Sequence, residues 1–264
     1  MTRLPVAKTY KLYIGGSFPR SESGRTYEVE GANVARGSRK DVRDAVSAAR
    51  EGFPKWAGMT AYNRGQVLYR IAEMMEGRRA QFVDVSGGEQ QVDEAIDRWI
   101  WYAGWADKLA QILGSSNPVA GSYFNFTIPE PMGVVGVVAP EEPALLGLVS
   151  RVAPAIVGGN AVIVLASERR PIAAMTLAEV LATSDVPGGV VNILTGRKNE
   201  LSSVLASHLD VNAIDLAGVD GDRAELERLA AENVKRVVRN GEGQSPWHAA
   251  AFLEMKTVWH PIGV

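Results

Sequence analysis

The sequence predicts an α/β protein, a doubly wound parallel Rossmann-like sheet preceded by helices and accompanied by a small β arm. Three observations predict it. First, Gly133–Ala139 and Ala161–Leu165 are almost purely small or branched apolar residues; without polar alternation, each reads as a strand buried on both faces. Second, Leu145–Val157 between them is apolar with a single arginine and stops at Gly158-Gly159-Asn160, as a helix with a glycine stop does. Strand, helix, strand is a βαβ unit with a right-handed crossover. Third, the alternation continues to Arg239, giving five strands and four helices in all.

Taken from the beginning, Tyr10–Ser17 (YKLYIGGS) reads as a strand entering a Gly-Gly turn, the first half of a hairpin. Arg20–Asn33 is polar and irregular. From Arg39 the period becomes helical, with Val42, Ala45, Val46 and Ala49 on one face and a stop near Gly52-Phe53-Pro54. Ala61–Asp84 forms a second helix in which Gly77 is a weak point. After Gly87-Gly88 a third helix carries Val92, Ile96, Trp99, Ala103, Ala106, Ala110 and Leu113 on one stripe. Its tryptophans, Trp99, Trp101 and Trp105, have the spacing of core or interface packing rather than of a ring-binding platform. Ser122–Ile128 (SYFNFTI) alternates aromatic, polar and β-branched residues, as a half-exposed strand does.

In the α/β core, Pro171 opens a helix to Ser184 and Val190–Leu194 is a strand. Asn199–Ser207 is a helix, Ala213–Ala217 a strand, Asp222–Glu232 a helix and Lys235–Arg239 the last strand of the sheet. Gly241–Ser245 is a linker. Phe252–Trp259 (FLEMKTVW) alternates again as a terminal strand. The expected division is residues 1–120 as an N-terminal hairpin and helices, 121–131 as an arm strand, 132–240 as the Rossmann-like core, and 241–264 as linker and final strand.

The 264 residues are 46% hydrophobic and 22% charged, an ordinary globular balance. A net charge of −2 gives no electrostatic case for nucleic acid or an anionic membrane. Gly, Pro or charge breaks every apolar segment before membrane-spanning length, and no secretory leader is visible, so a cytoplasmic protein is expected. There is no cysteine, which excludes disulfides, thiolate metal sites and thiol nucleophiles within this chain. His208, His248 and His260 lie far apart, without metal-ligand spacing. Adjacent Glu141 and Glu142 read as a solvated loop rather than an acid–base pair. No nucleophile elbow is present.

Several fragments resemble the aldehyde dehydrogenase superfamily at matching places: YKLYIGG, DRWIWYAGWADK, GVVGVVAP, APAIVGGNAVIVLASE, DVPGGVVNILTG, AAENVKRV and LEMKTVW. The resemblance extends along nearly the whole chain and implies that family's nucleotide-binding domain. It also implies a mechanism needing a thiolate nucleophile, an oxyanion site, hydride transfer to NAD(P) and a carboxylate base. The oxyanion Asn of the family's AP-Trp-Asn-aromatic-Pro element matches Glu142 here, in Ala139-Pro140-Glu141-Glu142-Pro143-Ala144. The Glu-Leu-Gly-Gly-Lys base element matches Asn240-Gly241-Glu242-Gly243-Gln244, with Asn240 at the base position. Of the Lys-Pro-Ser-Glu ribose element, Leu165-Ala166-Ser167-Glu168 keeps Glu168 and loses Lys. The pyrophosphate turn has become Ala217-Gly218-Val219, with Asp220 and Asp222 behind it.

The expectation is therefore that no cofactor is retained, with NAD(P) at a vestigial site of Glu168, Gly196 and Gly218 as the alternative. Gln244-Ser245-Pro246 lies only a few residues before a match to the family's C-terminal strand, so the catalytic domain between them is absent. The layout resembles the truncated second dehydrogenase-like module of family-16 type aldehyde dehydrogenases. In that family the two flanking strands form an oligomerisation arm, which here would present Tyr123, Phe124, Phe126, Phe252, Met255, Val258 and Trp259. The expected role is a non-catalytic subunit bound to a full-length aldehyde dehydrogenase, or to itself, by strand addition. The alternatives are an NAD(P)-dependent aldehyde oxidoreductase acting only within a complex, and a nucleotide-binding sensor.

Overall fold

A computed structural model of the chain describes residues 7–239 and 241–263. At the start, β1 (Thr9–Tyr10), β2 (Thr26–Val29) and β3 (Ala32–Ala35) form a small sheet in the order β1-β3-β2. The β2–β3 hairpin lies inside the stretch that reads as irregular. Tyr10–Ser17 does lead into a tight hairpin turn at Gly15-Gly16, as expected, where Ile14 and Ser17 exchange backbone hydrogen bonds at 3.0 Å and the Leu12 N–H donates to the Pro19 carbonyl at 3.1 Å. There, Tyr13 bridges Ile193 and Ile14 bridges Ser17, so the segment latches onto the edge of the main sheet.

Four helices follow as α1 (Arg39–Ala57), α2 (Ala61–Glu76), α3 (Arg79–Ser86) and α4 (Glu89–Trp105), then a single turn, α5 (Leu109–Leu113). Ser38 and Asp41 cap α1 reciprocally, the capping-box arrangement. Pro54 does not stop α1. Three more residues bury Trp56 completely and let its Nε1 donate to the Ile156 carbonyl at 2.8 Å, which outweighs the one helical bond a proline removes. The single helix expected over residues 61–84 is two, because Gly77 caps α2. The third expected helix likewise breaks after Trp105.

Next come β4 (Ser115–Asn117), β5 (Tyr123–Pro131), β6 (Val134–Val138), α6 (Ala144–Val157), β7 (Ala161–Leu165), α7 (Pro171–Leu181), β8 (Val191–Leu194), α8 (Lys198–Ser207), β9 (Ala213–Asp215), α9 (Arg223–Ala231) and β10 (Arg236–Val238). The main sheet is parallel in the order β10-β9-β6-β7-β8. The chain enters at the centre, winds out to β8, then returns beside β6 and winds the other way. β6 shows why these strands lack polar alternation. Val135 and Val137 join the core under α2, α4, α6 and α7, while Val134 and Val138 join the core under α1 and α8. Each buried Val, Ile or Leu of this kind contributes about 1.5–3 kcal/mol.

The linker leads into a short helix, α10 (Pro246–Ala250), that the sequence did not suggest, and then into β11 (Leu253–Pro261). β11 pairs antiparallel with β5 through all nine residues, and β4 covers three residues of β5's other side, giving the arm order β11-β5-β4. Among the described residues, no helix is long and apolar enough to cross a membrane.

Candidate functional site

In an open, doubly wound sheet the binding crevice lies outside the carboxyl ends of the strands, where the winding reverses. Here that point is between β6 and β9. The loop after β6, residues 139–143, and the turn after β9, residues 216–222, meet there. They meet closely: a Cβ on Gly218 would fall 1.9 Å from the Ala139 carbonyl, and the Gly218 N–H donates to the Val138 carbonyl at 2.9 Å. Only glycine fits that contact. Gly196 also stands against backbone, where a Cβ would lie 2.9 Å from the Gly37 nitrogen at a φ of +145°. Both glycines thus have a packing reason for their identity.

Beside this contact lies a cleft of about 710 Å³, within the range of small-molecule sites. Lys198 from the first turn of α8 reaches into it. Its Nζ donates to the Ala139 carbonyl at 2.6 Å and forms an ion pair with Glu141. Glu141 also accepts from the Ser167 hydroxyl at 2.7 Å and from the Glu168 and Arg169 N–H groups at 3.3 and 3.1 Å. Partial burial pushes the Glu141 carboxyl up, but hydrogen bonds from Lys198, Ser167 and Arg169 outweigh it and hold the group below its ordinary value. Glu141 is therefore no solvated loop residue, contrary to the sequence expectation. Glu142 beside it is exposed, with Arg170 at 3.9 Å.

Glu168 accepts from the Lys198 backbone N–H and from Arg197 Nη1 at 3.1 Å. The Arg197 guanidinium stacks over Tyr27 at 5.1 Å. Burial, then the Glu168 charge, pushes the Tyr27 hydroxyl up. At the entrance to α9, Asp222 accepts from the Glu225 N–H at 3.1 Å. The cleft as a whole is lined by six carboxylates, Glu28, Glu141, Glu168, Asp220, Asp222 and Glu225, against Arg169, Arg197 and Lys198. The sequence brought Glu168 and Gly218 to this cleft. It gave no sign of Lys198, which lies just ahead of the helix expected from Asn199, or of Tyr27, which sits in the missed hairpin.

Asn240 lies outside the described residues. The loop after it is fastened to α4, since Arg98 Nη1 donates to the Gly243 carbonyl at 2.9 Å and Tyr102 Oη donates to that of Ser245 at 3.3 Å. Nearby, Asp215 is buried with Arg151 at 3.7 Å. Burial pushes its carboxyl up, against the opposing pull of Arg151. Among the described residues, no group of three or more His, Cys, Asp or Glu side chains is placed to hold a metal ion.

On the arm, Tyr123, Phe124, Met255, Val258 and Trp259 are exposed. Phe126 is half-buried against Phe124, with ring centroids 5.2 Å apart. Phe252 is not on the arm surface. It is fully buried in the main core with Ala249 and Leu253, because α10 folds the chain inward just before β11 begins.

The family model described as "Aldehyde dehydrogenase family" matches residues 25–259. The chain belongs to the aldehyde dehydrogenase family. It is 32% identical over 267 residues to aldehyde dehydrogenase, cytosolic 1 of Elephantulus edwardii, covering 93% of this chain and 52% of that protein. Against retinal dehydrogenase 2 of Homo sapiens it is 32% identical over 260 residues, 90% of this chain and 50% of that one. The NAD+ complex of aldehyde dehydrogenase from Bacillus cereus superposes with a TM-score of 0.81 at 25% identity, covering 87% of this chain and 50% of that one. This aldehyde dehydrogenase homologue therefore spans about half the length of the relatives it matches.

Proposed function

We propose that this chain is a non-catalytic, cytoplasmic member of the aldehyde dehydrogenase family, which associates through its β5–β11 arm with a full-length aldehyde dehydrogenase or with itself. One observation carries the reading. Residues 255–261 of the nine-residue strand β11 stand exposed, with Met255, Val258 and Trp259 among them, in a chain holding no thiol. An open apolar strand is an aggregation liability that natural proteins cover. Aldehyde oxidation through a hemithioacetal begins with a thiolate, which these 264 residues do not contain. Glu142, at the position resembling the oxyanion Asn, would repel the negative charge that an oxyanion site has to stabilise.

The cleft fits a dinucleotide poorly. Lys198 and Glu141 are paired with each other on the cleft's wall, Glu168 is held by Lys198 and Arg197, and the remaining carboxylates oppose a diphosphate. The test is size-exclusion chromatography of this chain with the full-length aldehyde dehydrogenase from its own source. Co-elution is expected, with no aldehyde-dependent NAD(P) reduction by this chain alone. Separate elution of two monomers, or turnover at enzymic rate, would overturn the reading. The second reading, a nucleotide-binding sensor, is favoured by the superposition on an NAD+-bound dehydrogenase. Calorimetric titration of this chain with NAD and NADP separates the two, with no heat of binding expected.

A further inference from the structure

We infer that the cleft beside the winding reversal carries its own anions: three backbone sites of the kind that hold phosphate are each occupied by a carboxylate of this chain, and the cleft thereby refuses phosphate-bearing ligands. This rests on the non-catalytic reading of the chain and names the groups behind it. Helix N-termini and the turns that lead into them present N–H groups without helical partners and the positive end of a dipole, so they collect anions. Three such turns line this cleft, at residues 167–170 before α7, at the start of α8 and at the start of α9.

Each of the three already has its anion. Before α7, Glu141 accepts from the Glu168 and Arg169 N–H groups at 3.3 and 3.1 Å and from the Ser167 hydroxyl at 2.7 Å. At the start of α8, Glu168 accepts from the Lys198 N–H and from Arg197 Nη1, the latter at 3.1 Å. At the start of α9, Asp222 accepts from the Glu225 N–H at 3.1 Å. Capping a helix needs only a local side chain, as Asp222 shows. Glu141 and Glu168 are not local. Glu141 follows β6 and serves the turn after β7, while Glu168 follows β7 and serves the turn after β8. Two carboxylates thus reach across the mouth of the sheet from one loop to the next, onto the donors a bound phosphate would take.

The cations beside them are answered as well. Lys198 Nζ donates to the Ala139 carbonyl at 2.6 Å and to the Gly218 carbonyl at 3.4 Å, and pairs with Glu141. One ammonium therefore ties the loop after β6 to the turn after β9, the two segments between which a doubly wound sheet receives its ligand. Arg197 is held by Glu168 and lies over the Tyr27 ring. An entering diphosphate would have to displace carboxylates that belong to the fold and lose no translational freedom by binding. It would do so beside Asp220 and Glu225, which line the same cleft and repel it.

Inorganic pyrophosphate is the probe, since it has neither ribose nor base and reports on the anion alone. Calorimetric titration of the unmodified chain is expected to show no binding at millimolar pyrophosphate. Glu168→Ala/Asp222→Gly frees the Lys198 and Glu225 N–H groups and the Arg197 guanidinium, and leaves the Glu141–Lys198 pair in place. Its affinity for pyrophosphate should rise roughly tenfold or more, which is what one charge-assisted hydrogen bond supplies. Glu28→Gln/Glu225→Gln removes the same amount of charge from the lining but releases no backbone donor, and is expected to show no gain. Circular dichroism confirms that each variant is folded. Binding by the unmodified chain, or no gain in Glu168→Ala/Asp222→Gly, overturns the inference. An equal gain in Glu28→Gln/Glu225→Gln overturns it too, because net charge would then be the cause. The arm is read separately: if the chain co-elutes with a full-length aldehyde dehydrogenase yet binds pyrophosphate unmodified, this inference falls and the docking role stands. If no partner is found but the variants behave as stated, the docking role falls and this inference stands.

Discussion

The cleft at the strand ends and the three-stranded arm are opposites. In the cleft, charged groups are answered from within the chain: Glu141 by Lys198, Glu168 by Arg197, and Asp222 by the first turn of α9. On the arm, Tyr123, Phe124, Met255 and Trp259 stand in solvent without cover. A site that satisfies itself has little left to offer a ligand, because the ligand must first displace contacts already made. An exposed strand edge has the reverse property, and its contacts are gained only on association. That contrast is why the proposed role rests on the arm rather than on the cleft.

The largest effect separates core from arm within one short segment. Phe252 and Trp259 are both aromatic and seven residues apart, yet Phe252 is wholly buried and Trp259 is 58% exposed. Phe252→Ala leaves a cavity in the main core and should cost about 3–5 kcal/mol of stability in urea unfolding. A cost as small as that of an exposed residue would mean that α10 does not fold the chain inward as described.

The next effect tests how far the cleft's charged groups satisfy one another. Glu141→Ala strands the largely buried Lys198 ammonium and the Ser167 hydroxyl, and should cost roughly 3 kcal/mol. The double variant Glu141→Leu/Lys198→Met should recover most of that, since two apolar side chains need no counter-charge. Acid gives an independent check. The folded-state Glu141 carboxyl lies below its ordinary value, so its contribution is complete above that value and is lost as pH falls through the folded one. The urea midpoint of the wild type should fall on acidification, and that of Glu141→Gln should fall less.

What the sequence revealed follows the same division. β6 and β7 were legible because both faces are buried, so their composition has no other reading. α6 was legible because its apolar run ends in two glycines. The hairpin β2–β3 was not, because Thr26–Val29 alternates over only four residues and is ordered by pairing with β3, which in turn pairs with β1. Pro54 misled because the stabilisation that carries α1 past it comes from Trp56, bonded one hundred residues away. The arm strands were legible from their alternation, although β4 was not, having three polar residues that a neighbouring strand orders. In the cleft, Glu168 and Gly218 were found by their resemblance to a motif. Lys198 was not, because nothing local distinguishes a lysine that turns inward from one that is solvated.

A smaller effect contrasts a second buried lysine with the first. Lys235 donates to the His208 and Val211 carbonyls at 2.9 and 2.6 Å and to the Asn233 side chain at 3.1 Å, with no carboxylate among these partners. Burial lowers its ammonium from 10.5 to about 8. A folded state that releases this proton earlier than the unfolded chain becomes more stable as pH rises through that window. The urea midpoint should therefore climb between pH 8 and 10, by roughly 1–2 kcal/mol equivalent. Above that, Tyr13 and Tyr102 oppose the trend, since burial pushes both hydroxyls up to about 12. Lys235→Met should flatten the climb without altering the acid limb assigned to Glu141.

The smallest effect on stability carries the most about the arm. Trp259→Ala removes an exposed ring whose one aromatic neighbour is Tyr123 at 5.8 Å, so the isolated monomer should lose less than about 1 kcal/mol. If the ring is buried when the arm docks, the same substitution should weaken that association tenfold or more, because large aromatics are where interface energy concentrates. A substitution that leaves unfolding of the monomer almost unchanged while shifting the association midpoint in dilution experiments would show the ring acting between chains rather than within one. If both quantities change together, Trp259 belongs to the fold, and the contrast between a self-satisfied cleft and an open arm loses its strongest residue.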